Sequence, residues 1–570
     1  MIRALRTGLA VGVVSALLAG CTALPTDTDP QALRSFEPGQ IEDPDLGPQP
    51  EREPDLLLRD FYTAAAHPGQ QFKAARSFLT PEAADEWDPS TEILVVDRFD
   101  LTTQPESTSS RRIFSVRGNV IGQLRTGGAY EPENGAYEAM IEMEQVDGEW
   151  RISSLPEGVV FERTELRNQF HPQNLYFFDP SNQVLVSDRR WVFSDTGSLD
   201  SALISLMMQG PSRILEPGVN DFLPSEATFA GVDDEGTYRF TGFSGMGSEQ
   251  RIHFAAQLVW TLASANIPGP YSVAVDGFPI AEGYEQLNID DFADFNPQIG
   301  STTIAPLYAL TDGRVHRVTA DSAQPVEGDL GSMGGLESVD ITAERTSASV
   351  RREGDESVLV LGGLDPNVSA VESLRGSTLT RPTFEYSSTA LWTVVDGSTV
   401  VRTVRSSATG EFVQSEVESS ALDGLDGEIS VLRLSRTGVH AALIIGGRVH
   451  TAVVTRSGPG ERRIVNIQEV APQLGGTALS LDWQPDGSLL VGTSSPETPV
   501  WRVEQDGSAV SSLPSGNVSA PVVAVAASPS TIYLTDSQSV LQRPAVGEDS
   551  GFWREVPGLQ GVRSAPIVAN

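Results

Sequence analysis

The spacing of apolar residues changes character along this chain, and each change marks a new segment. Leu9 to Ala19 form a mostly apolar run, interrupted only by Ser15, behind Arg3 and Arg6, and the chain then turns polar. From Leu56 the spacing is helical: Leu56, Leu57, Phe61 and Ala65 recur until His67-Pro68-Gly69 stops them. A second helix follows through Phe72, Ala75, Phe78 and Leu79 to Pro81. The period then drops to two. Ile93 to Val96, Ile113 to Ile121, Tyr137 to Val146 and Trp150 to Ser153 read as strands, with Asp147-Gly148 as a tight hairpin turn. Helices followed by a curved antiparallel sheet predict an α+β domain over residues 55–165. That order suits a cone-shaped domain, with Trp87 and Trp150 in its core rather than in a pocket wall.

A second α+β module is predicted over residues 166–297. Leu175 to Phe178 and Val184 to Val186, extended by Trp191 to Phe193, form strands around the turn Asp179 to Asn182. Leu199, Leu203, Leu206 and Met207 share one helix face that ends at Gly210-Pro211. Tyr238 to Phe240 is a strand. A longer helix from about Ser248 turns Ile252, Ala255, Ala256, Val259 and Ala263 one way, and Ser272 to Val275 closes on Asp276-Gly277. The loop Phe243-Ser244-Gly245-Met246-Gly247 lacks the second glycine spacing of a nucleophile elbow and the Gly-Lys-Ser/Thr of a phosphate loop, so it reads as a flexible connection.

Residues 298–570 consist of short apolar strands with frequent Gly and Ser, and they repeat. Val339-Asp340-Ile341, Phe384-Glu385-Tyr386, Leu432-Arg433-Leu434, Leu481-Asp482-Trp483 and Val525-Ala526-Ala527 begin similar units, 45, 48, 49 and 44 residues apart. That period is the length of a four-stranded propeller blade. Pro485-Asp486-Gly487 and Ser528-Pro529 sit at one turn position, and Asp396-Gly397 and Asp506-Gly507 add hairpin turns. The strand Leu307 to Leu310 ahead of Asp312-Gly313 is placed to join the C-terminal segment and close a ring of about six blades. The fold class expected is therefore multidomain: two α+β modules and an all-β propeller.

The N-terminal run is too short for a membrane span, which needs roughly 20 residues. Residues 1–20 read as a signal peptide, and Leu18-Ala19-Gly20-Cys21 resembles a bacterial lipobox. The resemblance implies cleavage before Cys21 and acylation of its thiol, placing the chain on the extracytoplasmic face of the cell membrane by a lipid anchor. Two or more acyl chains, at about 0.8 kcal/mol per buried CH₂, hold a protein durably where one does not. Cys21 is the only cysteine, so the mature chain has no disulfide, cysteine nucleophile or thiolate metal site. Residues 21–54 form an acidic, proline-rich tether. Its root-mean-square reach is roughly 30–35 Å.

Composition narrows the chemistry. With 39 basic and 76 acidic residues the formal charge is −37, which excludes nucleic acid as a partner. His67, His171, His253, His316, His440 and His450 are scattered. His440 and His450 flank a hairpin but read as filler rather than ligands. Asp233-Asp234-Glu235 and Asp290-Asp291 lack calcium-loop spacing and read as solvated turns. No catalytic residue, metal site or cofactor is expected.

Leu206 to Pro211, Gln257 to Leu262 and Val275-Asp276-Gly277 resemble the GerMN module of sporulation and germination lipoproteins, which are regarded as binding or assembly units. The whole order, from lipobox and tether through α+β domain and GerMN-like module to propeller, resembles the LpqB family of actinobacterial lipoproteins. That resemblance implies an accessory protein of an MtrB-like sensor histidine kinase, bound to the kinase's extracytoplasmic domain and affecting cell-wall homeostasis and division. Two alternatives stand beside it. A sensor would bind a cell-wall fragment or lipid precursor in the N-terminal cone or propeller channel, and a glycan hydrolase would need convergent carboxylates on one propeller face.

Overall fold

Pro54, whose missing N–H costs nothing in a first helical turn, opens the first helix, α1 (Pro54–Ala65). The computed structural model describes residues 46–194, 197–297, 305–406, 408–458, 460–545 and 552–569. The segments read as signal peptide and lipobox, and the tether as far as residue 45, lie outside these residues. On α1 the buried face runs through Leu57, Leu58, Phe61, Tyr62 and Ala65, one position round from the face expected, and leaves Leu56 40 % exposed. The reason is Tyr62, whose ring stacks on Phe99 at 4.1 Å and draws its side of the helix inward. Helices α2 (Gly69–Arg76) and α3 (Pro81–Glu86) follow, the latter capped by Thr80, whose hydroxyl accepts the Ala83 N–H at 3.2 Å.

The helices cover a sheet of β1 (Ile93–Val96), β2 (Asp100–Thr103), β3 (Arg111–Leu124), β4 (Tyr130–Val146), β5 (Glu149–Ser154) and β6 (Val159–Glu162). Strand order is β5-β4-β3-β1-β6, with β2 on β3 and only β1–β6 parallel. Asp147 and Gly148, at φ +55° and +87°, make the two-residue turn between β4 and β5 that their sequence signalled. Between helices and sheet, Phe61 packs on Phe78 and Trp87 at centroid distances of 6.2 and 6.0 Å. These three rings, all buried, form the core beneath the helices.

The middle module begins with α4 (Arg163–Gln169) and the hairpin β7 (Phe170–Phe178) and β8 (Leu185–Phe193). Helix α5 (Leu199–Met208) precedes β9 (Thr228–Val232) and β10 (Tyr238–Thr241). Helix α6 (Ser248–Ser264) then crosses to β11 (Val273–Val275) and β12 (Phe278–Pro279). The sheet order is β12-β11-β10-β9, and β10 and β11 are parallel, as a helical crossover requires. Helix α6 departs from the one-faced expectation, for every residue from His253 to Leu262 is buried. It lies between two layers: Phe254 meets Phe240 of β10 at 5.2 Å, and on the other side Gln257 donates to the Tyr176 carbonyl and Thr261 accepts the Tyr176 N–H. A helix so enclosed reads apolar all round.

Among the described residues the C-terminal part folds as six four-stranded sheets in a ring. The innermost strands of five blades are Leu336–Ile341, Thr383–Phe384, Ile429–Leu434, Ala478–Trp483 and Ala524–Ala527, and each coincides with or adjoins a repeated triplet. Below, these blades are numbered II to VI. Blade I takes its innermost strand, Ala565–Val568, from the chain's end, with Leu307 opposite Val568 and Leu310 opposite Ala565. Ring closure by the last strand removes the open sheet edges. The multidomain fold class expected from periodicity is the fold observed.

Candidate functional site

Strand β8 supplies three successive charged residues that join the modules. Asp188 and Arg190 pair at 2.7 Å, both nearly fully buried, and Arg190 also donates to the carbonyl of Gly127 on the N-terminal domain and that of Gly210. Asp188 additionally accepts the Ser212 N–H at 2.6 Å, while Arg190 Nε is buried without a hydrogen bond. Arg213 meets Glu131 at 2.8 Å across the same boundary. Between them Arg189 pairs with Glu504 and Asp506, in the blade V turn, at 3.1 and 3.5 Å. A second link joins Arg456 of blade IV to Asp179 at 3.0 Å, and the Asn466 amide donates to the Ile214 carbonyl. Apolar packing completes the joint, since Val439 and Val453 of blade IV belong to the same core cluster as Phe178, Leu215 and Val219.

The tightest contact is between backbones. Gly128 has φ +76°, and a Cβ there would lie 2.2 Å from the Trp191 carbonyl oxygen, which cannot swing aside. Gly128→Ala should therefore destabilise the folded protein by about 2–3 kcal/mol through strain and lost docking, and should open the 125–130 turn to protease. Wild-type denaturant midpoint and digestion rate in this variant would contradict the interlock.

Where the three modules meet there is a cavity of about 60 Å³, with Tyr130, Arg189, His440, Gln468, Gln505 and Asp506 in its wall. The Gln505 amide donates to His440 Nε2 at 2.6 Å, making that nitrogen an acceptor. Burial lowers the His440 pKa to about 4, although the nearby Asp188 carboxylate acts in the opposite direction, and the ring is neutral.

A second charged constellation lies among the propeller's inner strands. Arg433 of blade IV contacts Asp340 of blade II at 2.9 Å and Asp482 of blade V at 3.2 Å, and Arg381, ahead of blade III's inner strand, reaches the same two carboxylates at 2.9 and 3.7 Å. Burial works against the Arg433 cation, but the two carboxylates outweigh it and hold its pKa above the ordinary arginine value. Burial and the neighbouring Arg433 charge depress that of Arg381. Two cations and two anions balance one another and bridge blades II to V. Glu385, at the same triplet position in blade III, turns elsewhere. It accepts from Arg402, Arg462 and the Trp392 indole N–H. Burial alone would raise its pKa; the Arg402 hydrogen bond and charge, with the Arg462 charge, hold it at about 2.

The residues singled out from sequence fare differently. Leu18, Ala19, Gly20 and Cys21 lie outside the described residues. Trp87 is buried with its indole donating to the Gly158 carbonyl, while Trp150 is half-buried beneath the Arg112 guanidinium. His440 and His450 do not face one another: His440 is paired with Val453, and His450 with Leu443. Asp233 accepts the N–H groups of Glu235 and Thr237 within its own turn, and Asp291 accepts that of Asn288. Among the described residues no cluster of three or more His, Asp or Glu is placed to hold a metal. The loop from Phe243 to Gly247 is pinned rather than loose, because Phe243 is buried and Arg251 donates to two of its carbonyls. What sequence reasoning missed was the convergence of Asp340, Arg433 and Asp482, although the signal was visible: each is the charged middle residue of an apolar triplet.

A six-bladed ring closed by its last strand and locked onto two α+β modules defines a class of multimodule propeller protein. The family described as "Lipoprotein LpqB, N-terminal domain" matches residues 47–167, "Sporulation and spore germination" residues 174–281, and "Lipoprotein LpqB beta-propeller domain" residues 313–569. The chain is 44 % identical to the lipoprotein LpqB of Corynebacterium diphtheriae, over 98 % of both chains, and 33 % identical to that of Mycolicibacterium smegmatis, over 99 % of both. It belongs to the LpqB lipoprotein family. Among solved structures, TolB from Acinetobacter baumannii is similar over 46 % of this chain and 66 % of its own, at 13 % identity and a TM-score of 0.32. A likeness that distant carries no functional argument.

Proposed function

We propose that the chain is a lipid-anchored, extracytoplasmic adaptor that binds the extracytoplasmic domain of an MtrB-like sensor histidine kinase and modulates its signalling. The anchor is Cys21, within Leu18-Ala19-Gly20-Cys21. What carries the reading is the junction: three modules held by buried ion pairs and a shared core present one rigid surface, and paired charges bridge the propeller's blades. Function then falls to outer surfaces and loops, which suits recognition of another protein. The relatives' name, that of a lipoprotein and not of an enzyme, agrees with this. To modulate a kinase the chain must bind its signalling states with different affinity.

The test is titration of the detergent-solubilised full chain against the kinase ectodomain, with the wild type and Cys21→Ala compared. Saturable binding by both is expected, with wild-type chain in the membrane fraction of cells and the variant released from it. No saturable binding would refute the adaptor role, and a membrane-retained variant would refute the anchor.

A further inference from the structure

We propose that the free edge of the middle module's sheet, along β11 and β12, docks a protein of cationic surface, with the Phe278 ring as its apolar anchor. At 71 % exposure Phe278 is the most exposed large apolar side chain among the described residues. Its place in the register explains why. Phe278 opposes Val275 across the Asp276-Gly277 turn, and opposed residues of an antiparallel pair project to the same face of the sheet. Val275 is fully buried in the module's core, so Phe278 carries that apolar face out past its cover. Further along the same edge Leu287 opposes Tyr271, four residues or about 13 Å from Val275, and Ile289 beyond it is 42 % exposed. Pro279, also exposed, offers no N–H to a further strand, so a partner is held here by side chains rather than by strand addition.

Charge selects the partner. Asp276, Glu282, Glu285, Asp290, Asp291 and Asp294 are all exposed on this segment, and no Lys or Arg occurs between Arg251 and Arg314. The Tyr284 ring stacks on Phe292 at 6.0 Å, which folds the loop carrying Glu282 and Glu285 against the turn carrying Asp290 and Asp294. Carboxylates so gathered repel a second copy of the chain, whose own edge bears the same charges, and they repel anionic lipid and nucleic acid. A protein surface with Lys or Arg around an apolar pocket satisfies both features: the pocket takes the phenyl ring, and the rim charges steer the approach. The surface is read from exposure and charge, so it stands whether or not that protein is the kinase.

The test is photocrosslinking by the full chain in its native membrane, with a benzophenone-bearing phenylalanine in place of Phe278 and, for comparison, in place of Val232 on the opposite edge of the sheet. The probe at Phe278 should give a discrete adduct with another protein that the probe at Val232 does not. The crosslinked peptide, sequenced by mass spectrometry, should come from a region of net positive charge. In isolated membranes the adduct should fall about fivefold when salt is raised from about 0.1 to 1 M, which shortens the screening length from about 10 to 3 Å. Glu285→Gln combined with Asp290→Asn should lower it comparably, and because both side chains are exposed the double variant folds. No adduct above that from Val232, an adduct with a second copy, a peptide of neutral or negative charge, or a yield unmoved by salt and by the double variant would each overturn the proposal. Whether the peptide belongs to the kinase ectodomain decides the adaptor reading separately.

Discussion

Arg433→Ala should destabilise the propeller by about 3–5 kcal/mol, the usual consequence of removing one member of a buried ionic cluster. The side chain is 8 % exposed, and those of its partners Asp340 and Asp482 are 10 % and 6 % exposed. Without it, two buried carboxylates share the single guanidinium of Arg381, whose contact with Asp482 is already stretched to 3.7 Å. One negative charge is left uncompensated at the axis. Lysine at the same position should recover only part of the loss, because its single ammonium cannot reproduce separate Nε and Nη2 contacts to two carboxylates. Replacing all four charged residues with Leu and Met should return stability close to wild type, since no charge would then be stranded. The denaturant midpoint followed by tryptophan fluorescence reads these changes. A loss below about 1 kcal/mol in Arg433→Ala would show that the tetrad is solvated in solution.

Acid should weaken the fold in two steps that belong to different places. His440 has a folded pKa of about 4 against an ordinary value of 6.5, so the unfolded chain binds its proton first. The stability this represents is complete above pH 6.5 and is lost as the pH falls to about 4, some 2.5 units or roughly 3 kcal/mol at 1.36 kcal/mol per unit. Glu385 has a folded pKa of about 2 against 4.5. Its contribution, again roughly 3 kcal/mol, is present above pH 4.5 and disappears as the pH drops through 2. The first step loosens the module junction, the second the pairing of Glu385 with Arg402 and Arg462 in blades III and IV. Stability measured against pH should lose its upper decline in His440→Gln and its lower decline in Glu385→Gln. If either variant keeps the wild-type slope in its window, the corresponding group is not the one titrating.

Module order and blade period were legible because both rest on local signals. A change from helical to alternating spacing needs only neighbouring residues, and the turns Asp147-Gly148, Asp276-Gly277 and Asp312-Gly313 appear as positive φ at both residues. The ring's closure was readable too, since a strand lacking a partner at each end of a repeat array invites pairing. Errors of detail arose where tertiary neighbours overrode local pattern. Helix α6 was expected to bury one face, but its second layer comes from β7, some 80 residues earlier, as the 85-residue separation of Tyr176 and Thr261 records.

By itself, then, the sequence determined the chain's division into two α+β modules and a propeller, the blade length, and the lipobox-like segment, all properties of residues close together in the chain. Only the tertiary structure decided where charge is spent. An alternating strand pattern says whether a side chain points inward but not whom it meets, and the partners of Arg433 lie 93 and 49 residues away. The same holds for the Arg189–Asp506 contact and the cavity beside it. Three separately folded patterns had to be brought together before those groups became neighbours, because ion pairing and enclosure depend on distance in space.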